Sequence, residues 1–363
     1  MKMTFRWFGR EMDPIPLKYI KQIPNITGVV TSLMDIPVGE EWPLSRIMGL
    51  KKEIADAGLE MEVIESVNIH EDIKLGLPSR DLYIKNYIKT IKNLEKSGIK
   101  VICYNFMPIF DWTRSDLAKE LPDGSNALSY DQRIIGQIKD VQGFVDNIRA
   151  ESNDFEMPGW ESERLETIQE LFRLYEGVTS DKLFDNLKYF LEAIMPTCEE
   201  CDIKMAIHPD DPPWDIFGIP RIANCKENLD RILSLVDSEY NSITLCSGSL
   251  GADLKNHIPE LVRYFGKKGR IAFAHIRNLK IHEPKIFQES SHLSKDGSFD
   301  MYEIMKAYDE IGFKGYVRPD HGRMIWDEKG RAGYGLYDRA LGIAYLNGLW
   351  EAIQKSKDTG RRL

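Results

Sequence analysis

The sequence predicts a (β/α)8 barrel with a long insertion after its fourth strand. Three observations lead there. Eight short segments rich in Val, Ile, Phe and Tyr recur along the 363 residues, each followed by polar or Gly/Pro residues. Their apolar runs are near-continuous rather than alternating, which suits parallel strands covered on both faces. The stretches between them carry helical periodicity, and strand–helix alternation eight times over is the pattern of a closed barrel.

The strands follow in order as "MTFRWFG" from Met3, "GVVTSLM" from Gly28, "MEVIESV" from Met61 and "VICYNFM" from Val101, then "KMAIHPD" from Lys204, "SITLCSG" from Ser242, "IAFAHIR" from Ile271 and "GYVRPDH" from Gly315. Among the helices, "RDLYIKNYIKTIKNLEKSG" is expected to put Leu82, Tyr87, Ile91 and Leu94 on one face and to end at its glycine. "SDKLFDNLKYFLEAIM", "KENLDRILSLVDS", "IPELVRYFGKKG" and "DMYEIMKAYDEIG" behave alike. A doubly wound sheet is the competing architecture, but the Gly-rich dinucleotide fingerprint is missing after the first strand. The interval from Phe106 to Lys204 far exceeds the roughly 30 residues of one barrel unit. Residues 108–177 are therefore expected to be an insertion at the C-terminal face of a single domain. It holds the aromatic, charged "FDWTRSDL", a turn at "LPDGS" and an expected helix, "SERLETIQELFRLYEG".

Composition narrows the function. The chain is 42% hydrophobic and 29% charged, with a net charge of −9, which argues against a nucleic-acid partner. No apolar run approaches the length of a membrane span. "MKMTFRWFGREMDP" lacks the apolar core of a signal peptide, so a cytoplasmic location is expected. Five cysteines without a paired framework read as reduced thiols, and "CEEC" at 198–201 as packing residues at a helix end.

All strands of a barrel point their C-terminal ends at one mouth, so residues far apart in sequence meet there. Strand five ends at His208, strand six at Cys246, strand seven at His275, and strand eight at Asp320 and His321. Strand one offers Arg6, strand four Asn105, strand seven also Arg277, and strand eight Arg318. Singly, each has an ordinary structural explanation. Ligand-type residues at four consecutive strand ends are another matter: two imidazoles, a thiolate and a carboxylate suit a divalent transition metal. Mg²⁺ and Ca²⁺ favour all-oxygen shells, and a structural zinc would close with four ligands. A six-coordinate Fe²⁺ or Mn²⁺ would keep positions for a chelating hydroxy acid.

The motifs "YNFMPIFDWTRSDL", "IHPDDPPW", "LCSGSLG", "FAHIRN", "SHLSKDGSFDMYEIM", "RPDHGR" and "GYGLYDRALG" together resemble the mannonate dehydratase family of hexuronate catabolism, from Met1 to the last helix. The resemblance implies a xylose-isomerase-like TIM barrel, an Mn²⁺ or Fe²⁺ ion, and conversion of D-mannonate to 2-keto-3-deoxy-D-gluconate and water. Carried over by position, it implies metal ligands at His208, Cys246, His275 and Asp320, and acid–base residues at His321 and Tyr334. Ala332 stands where the family pattern "PGYG" has proline. Arg318 and Arg323 are expected near the substrate carboxylate, with Arg6, Arg277 and Asn105 as further contacts. His292, in "ESSHLSKDG", is expected to line the mouth, and His257 to be solvated. The partners expected are the sugar acid and, among such enzymes, a second copy of the chain, a dimer foremost. A sugar isomerase of the same barrel type would carry a carboxylate-rich site, and a zinc endonuclease a basic surface. A binding protein would have no need of four ligand-bearing strand ends.

Overall fold

The computed structural model describes residues 1–138, 143 and 168–360. Twelve strands are formed among them. In chain order they are β1 (Lys2–Arg6), β2 (Ile26–Thr31), β3 (Glu60–Glu65), β4 (Val101–Tyr104), β5 (Asp116–Glu120), β6 (Asn126–Asp131), β7 (Lys204–Ile207), β8 (Asn241–Cys246), β9 (Ile271–His275), β10 (Leu279–Glu283), β11 (Ile286–Glu289) and β12 (Tyr316–Arg318). Eight of them close a parallel barrel in the order β1-β12-β9-β8-β7-β4-β3-β2. It is the (β/α)8 barrel predicted. Strand β8 is buried along its whole length, as a strand covered on both faces must be.

Small and β-branched residues, with one phenylalanine, fill the barrel interior, where Val30, Val63, Val101, Cys103, Ala206, Ala272 and Phe273 pack together. The larger apolar cluster lies outside, between strands and helices. Helix Arg80–Lys96 buries Ile84, Tyr87, Ile91 and Leu94. Leu82, expected on that face, is instead 59% exposed. It precedes Ile84 by two residues, about 200° around a helix, so only one of the two can face the core. Cys198 and Cys201 are buried free thiols in the core.

The barrel accounts for only part of the sheet. Strands β10, β11, β6 and β5 form a second, antiparallel sheet in that order. It joins two excursions, one after β4 and one after β9, that are far apart in sequence. Phe287 pairs with Tyr130 across it. Their rings stack at 5.6 Å, and Trp214 meets Tyr130 edge-on. The excursion after β4 also contains helices Gln132–Ile135 and Ile168–Tyr175. The latter forms part of the helix expected over "SERLETIQELFRLYEG", whose residues 162–167 lie outside the described residues. Among the described residues, no helix is long and apolar enough to cross a membrane.

Candidate active site

Four strand ends converge at the mouth. His208 follows β7, Cys246 ends β8, His275 ends β9, and Asp320 follows β12. Strand β12 is short because Pro319 cannot donate to the ladder. Asp320 then turns into the left-handed region at φ 60°, a conformation costing about 1 kcal/mol for a residue with a side chain. That turn swings its carboxylate toward the neighbouring strands. Its Oδ2 lies 3.3 Å from Cys246 Sγ, and its Oδ1 is 3.7 Å from His275 Nδ1. His208 Nδ1 donates to its neighbour's carbonyl, Pro209 O, at 2.7 Å. That leaves the Nε2 lone pair facing His275 Nδ1 at 3.1 Å. Arg318 Nε donates to His275 Nε2 at 3.0 Å and so orients the ring. The ligand atoms of His208, Cys246 and His275 all lie within 4.8 Å of one another. With Asp320 they form a borderline-soft donor set of two nitrogens, a sulfur and a carboxylate, and a divalent transition ion fits it.

Beside this cluster, His321 Nε2 and the Tyr334 hydroxyl are 2.8 Å apart. Two groups meet His321 Nδ1: Arg277 Nη1 at 2.8 Å and Glu289 Oε1 at 3.3 Å. One is a donor and one an acceptor, so either neutral tautomer of the ring finds a partner there. Burial pushes the imidazole below its ordinary value. Burial also drives the Tyr334 phenol up to about 12. Near neutral pH the pair is therefore a neutral imidazole and an intact phenol.

The site is set in a buried ionic network. Arg277 donates to Asp320 at 2.6 Å and to Asp211 at 2.8 Å. Arg114 makes a two-pronged pair with Asp211, at 2.8 and 3.0 Å, and reaches Glu289 at 3.1 Å. Arg318 pairs with Glu65 at 2.8 Å and with Asp320 at 2.9 Å. Burial alone would raise the Asp320 and Asp211 carboxyls. The guanidinium groups outweigh it and hold both well below the usual range, so both stay ionised. Gly248 is needed here because a Cβ would fall 1.9 Å from Arg277 Nε. Replacing Arg114 by Met should cost about 3 kcal/mol of stability, because Asp211 and Glu289 lose a buried counter-charge and only Arg277 remains to offset them. A shift of the urea midpoint, with the slope unchanged, would check this; an unchanged midpoint would remove Arg114 from the fold's support.

The residues expected at the site have diverse placements. Arg6, Asn105, His208, Arg277, Arg318, Asp320, His321 and Tyr334 all line one cavity at the mouth. Arg6 bonds the carbonyls of Trp7 and Val30, and forms no ion pair among the described residues. Arg323 does not join the cavity lining; it pairs with Asp338 and Asp123 at 2.9 Å each. His292 does not line the cavity either. It is buried and hydrogen-bonded to two backbone carbonyls. His257 is exposed at a helix start.

Five residues of the site are not among those expected from the sequence. Asp211 and Arg114 stand inside quoted motifs, "IHPDDPPW" and "FDWTRSDL", and their adjacency to expected residues is the available signal. Glu65 ends β3 and follows the same strand-end logic as the candidate metal ligands. Trp112, whose ring lies 6.0 Å from that of His321, sits two residues before Arg114 in the chain. Glu289 has no local signal, since it reaches His321 only through the second sheet.

Residues 1–360 match the model of the D-mannonate dehydratase (UxuA) family. A mannonate dehydratase from Thermotoga neapolitana is 60% identical over 358 residues, covering 99% of each chain. The crystal structure of mannonate dehydratase from Streptococcus suis serotype 2 superposes with a TM-score of 0.88 at 45% identity, covering 99% of this chain and 95% of that one. A D-tagatose 3-epimerase-like protein shares the fold alone, with a TM-score of 0.54 at 12% identity over 98% of this chain and 99% of that one.

Proposed function

Because the chain belongs to the D-mannonate dehydratase family, we propose that the strand-end cluster and the His321–Tyr334 pair are where D-mannonate loses water. The protein is a hydro-lyase that converts D-mannonate to 2-keto-3-deoxy-D-gluconate and water, a step of hexuronate breakdown. The observation that carries the site assignment is the 2.8 Å contact of the His321 imidazole with the Tyr334 phenol, beside the converging ligand atoms of His208, Cys246 and His275 and the Asp320 carboxylate next to them.

His208, Cys246, His275 and Asp320 would hold the ion, Mn²⁺ or Fe²⁺. When bound, it supplies a Lewis acid for the charge that develops as the C2 proton leaves. The chain's own groups do the rest. His321, kept neutral by burial, takes the proton from C2. Tyr334, whose phenol holds its proton to about pH 12, gives one to the departing C3 hydroxyl. The enol left behind collects a proton at C3 and becomes the ketone. Arg277 and Arg318 are ion-paired with carboxylates of the network, whereas Arg6 makes no ion pair among the described residues and meets the Glu65 charge only at longer range. Arg6 is therefore the cation we assign to the substrate carboxylate, with Asn105 beside it in the lining. A cytoplasmic location and a homodimer joined through the 108–177 insertion belong to the same proposal. In the described part of the insertion Ile134 and Leu174 are exposed apolar side chains, and residues 139–142 and 144–167 lie outside the described residues.

Turnover in heavy water tests the reaction. The product should carry deuterium at C3, and its mass should fall from that of the substrate by one water, apart from the label. A product of unchanged mass would mean isomerisation, and the assignment would fail.

A further inference from the structure

His292 lies outside the cavity, where the barrel ladder runs out. The last bond between β9 and β12 is Ile276 N–H to Arg318 O, at 3.0 Å. Beyond it, the carbonyls of Ile276 and Pro319 both accept from a single atom, His292 Nε2, at 3.0 and 2.9 Å. Carbonyls only accept, so the ring proton must sit on Nε2. Each carbonyl belongs to the residue just before a working one: Arg277 follows Ile276, and Asp320 follows Pro319. Asp320 is also the residue held in the left-handed region.

The imidazole is wedged from its other side. A Cβ at Gly342, on the C-terminal helix Tyr337–Gly360, would lie 2.4 Å from His292 Nδ1. That nitrogen meets no hydrogen-bond partner among the described residues. The polar work of the ring is thus confined to the two carbonyls, and the helix prevents it from backing away.

We propose that His292 is a positioning residue for the metal centre, tying the ends of β9 and β12 so that Asp320 and Arg277 converge. It rests on the ligand assignment made above. His292 touches neither substrate nor ion in this arrangement. It acts through the backbone of the residues beside them.

The test uses the full chain under anaerobic, reducing conditions. Mn²⁺ affinity is followed by the electron paramagnetic resonance of the free ion, alongside kcat, KM and melting of the metal-free protein. His292→Leu fills the space but donates nothing. His292→Gln offers two N–H groups for the two carbonyls. The Leu variant should bind Mn²⁺ roughly tenfold or more weakly and lose kcat by about 10- to 100-fold, as removal of a group supporting a metal ligand does. Its KM should stay close to wild type, and its metal-free melting temperature should fall by only a few degrees, as two buried carbonyls left without a donor require, too little to account for the loss of metal. The Gln variant should recover affinity to within about threefold, against the loss expected of a missing outer partner. Gly342→Ala keeps the donor but crowds the ring, so it should weaken Mn²⁺ binding in the same direction; it serves if the Leu variant does not fold.

Wild-type affinity in the Leu variant would overturn the proposal. So would equal losses in Leu and Gln, or a loss that merely follows the metal-free melting temperature. Failure of the ligand assignment looks different: the wild-type chain itself would bind no Mn²⁺, and the tie would fall with it.

Discussion

Cys246→Ser should lose its bound metal and its turnover while the barrel stays folded. The thiol has two jobs. It accepts from Ser249 N–H at 3.4 Å, capping the short helix Ser247–Gly251, and it lies among the ligand atoms of His208 and His275. Serine performs the first job well, being a favoured helix cap. It fails at the second, because its hydroxyl stays protonated and binds a transition ion weakly, whereas a thiolate binds strongly. Metal content after gel filtration should fall far below stoichiometric, and kcat should drop by about two orders of magnitude or more, in line with loss of a direct ligand. Circular dichroism and the metal-free melting temperature should barely move. Full occupancy with normal turnover would take Cys246 out of the site.

The second large effect concerns proton transfer. Tyr334→Phe removes one oxygen and keeps the ring, which packs edge-on against Phe8 at 4.9 Å and His321 at 4.8 Å. His321→Asn removes the imidazole that sits between Tyr334 and the Arg277–Glu289 pair. Each variant should retain its metal and lose kcat by about 10²- to 10⁴-fold, the usual worth of a positioned acid or base. If the two act as a unit, the double variant should be little worse than either single one. Substrate deuterated at C2 separates them further. A larger isotope effect is expected in His321→Asn, where removal of the C2 proton becomes limiting. Near wild-type turnover in either single variant would strike that residue from the mechanism.

Much of the site is legible in the sequence because barrel geometry makes the inference local. A residue at the C-terminal end of a parallel strand reaches the mouth whatever its neighbours do. His208, Cys246, His275 and Asp320 can therefore be placed together from four separate segments, each read by itself. Arg6, Asn105, Arg277 and Arg318 follow by the same rule. Resemblance to a family, not spacing, supplies Tyr334, since it stands in a loop beyond β12 and no periodicity marks it.

Tertiary structure decided what depends on contacts between distant segments. Glu289 reaches His321 because β11 folds back on β10 and sets Glu289 opposite Leu279, two residues beyond Arg277, while the rest of β11 pairs with β6 of a distant excursion. His292 reads as a residue of the mouth; folding turns it onto the backbone of β9 and β12, where Gly342 of the C-terminal helix gives it room. Arg323 reads like its neighbour Arg318, yet Asp338 and Asp123 draw it away from the cavity. The sequence by itself determined the barrel and which candidate ligand residues stand at its strand ends, because strand periodicity and strand direction are local properties. Which buried charges compensate one another was decided only by the folded chain, as where β11 brings Glu289 to Arg114, Arg277 and His321. A buried charge takes whichever opposite charge the whole chain brings within reach, and no local pattern records that choice.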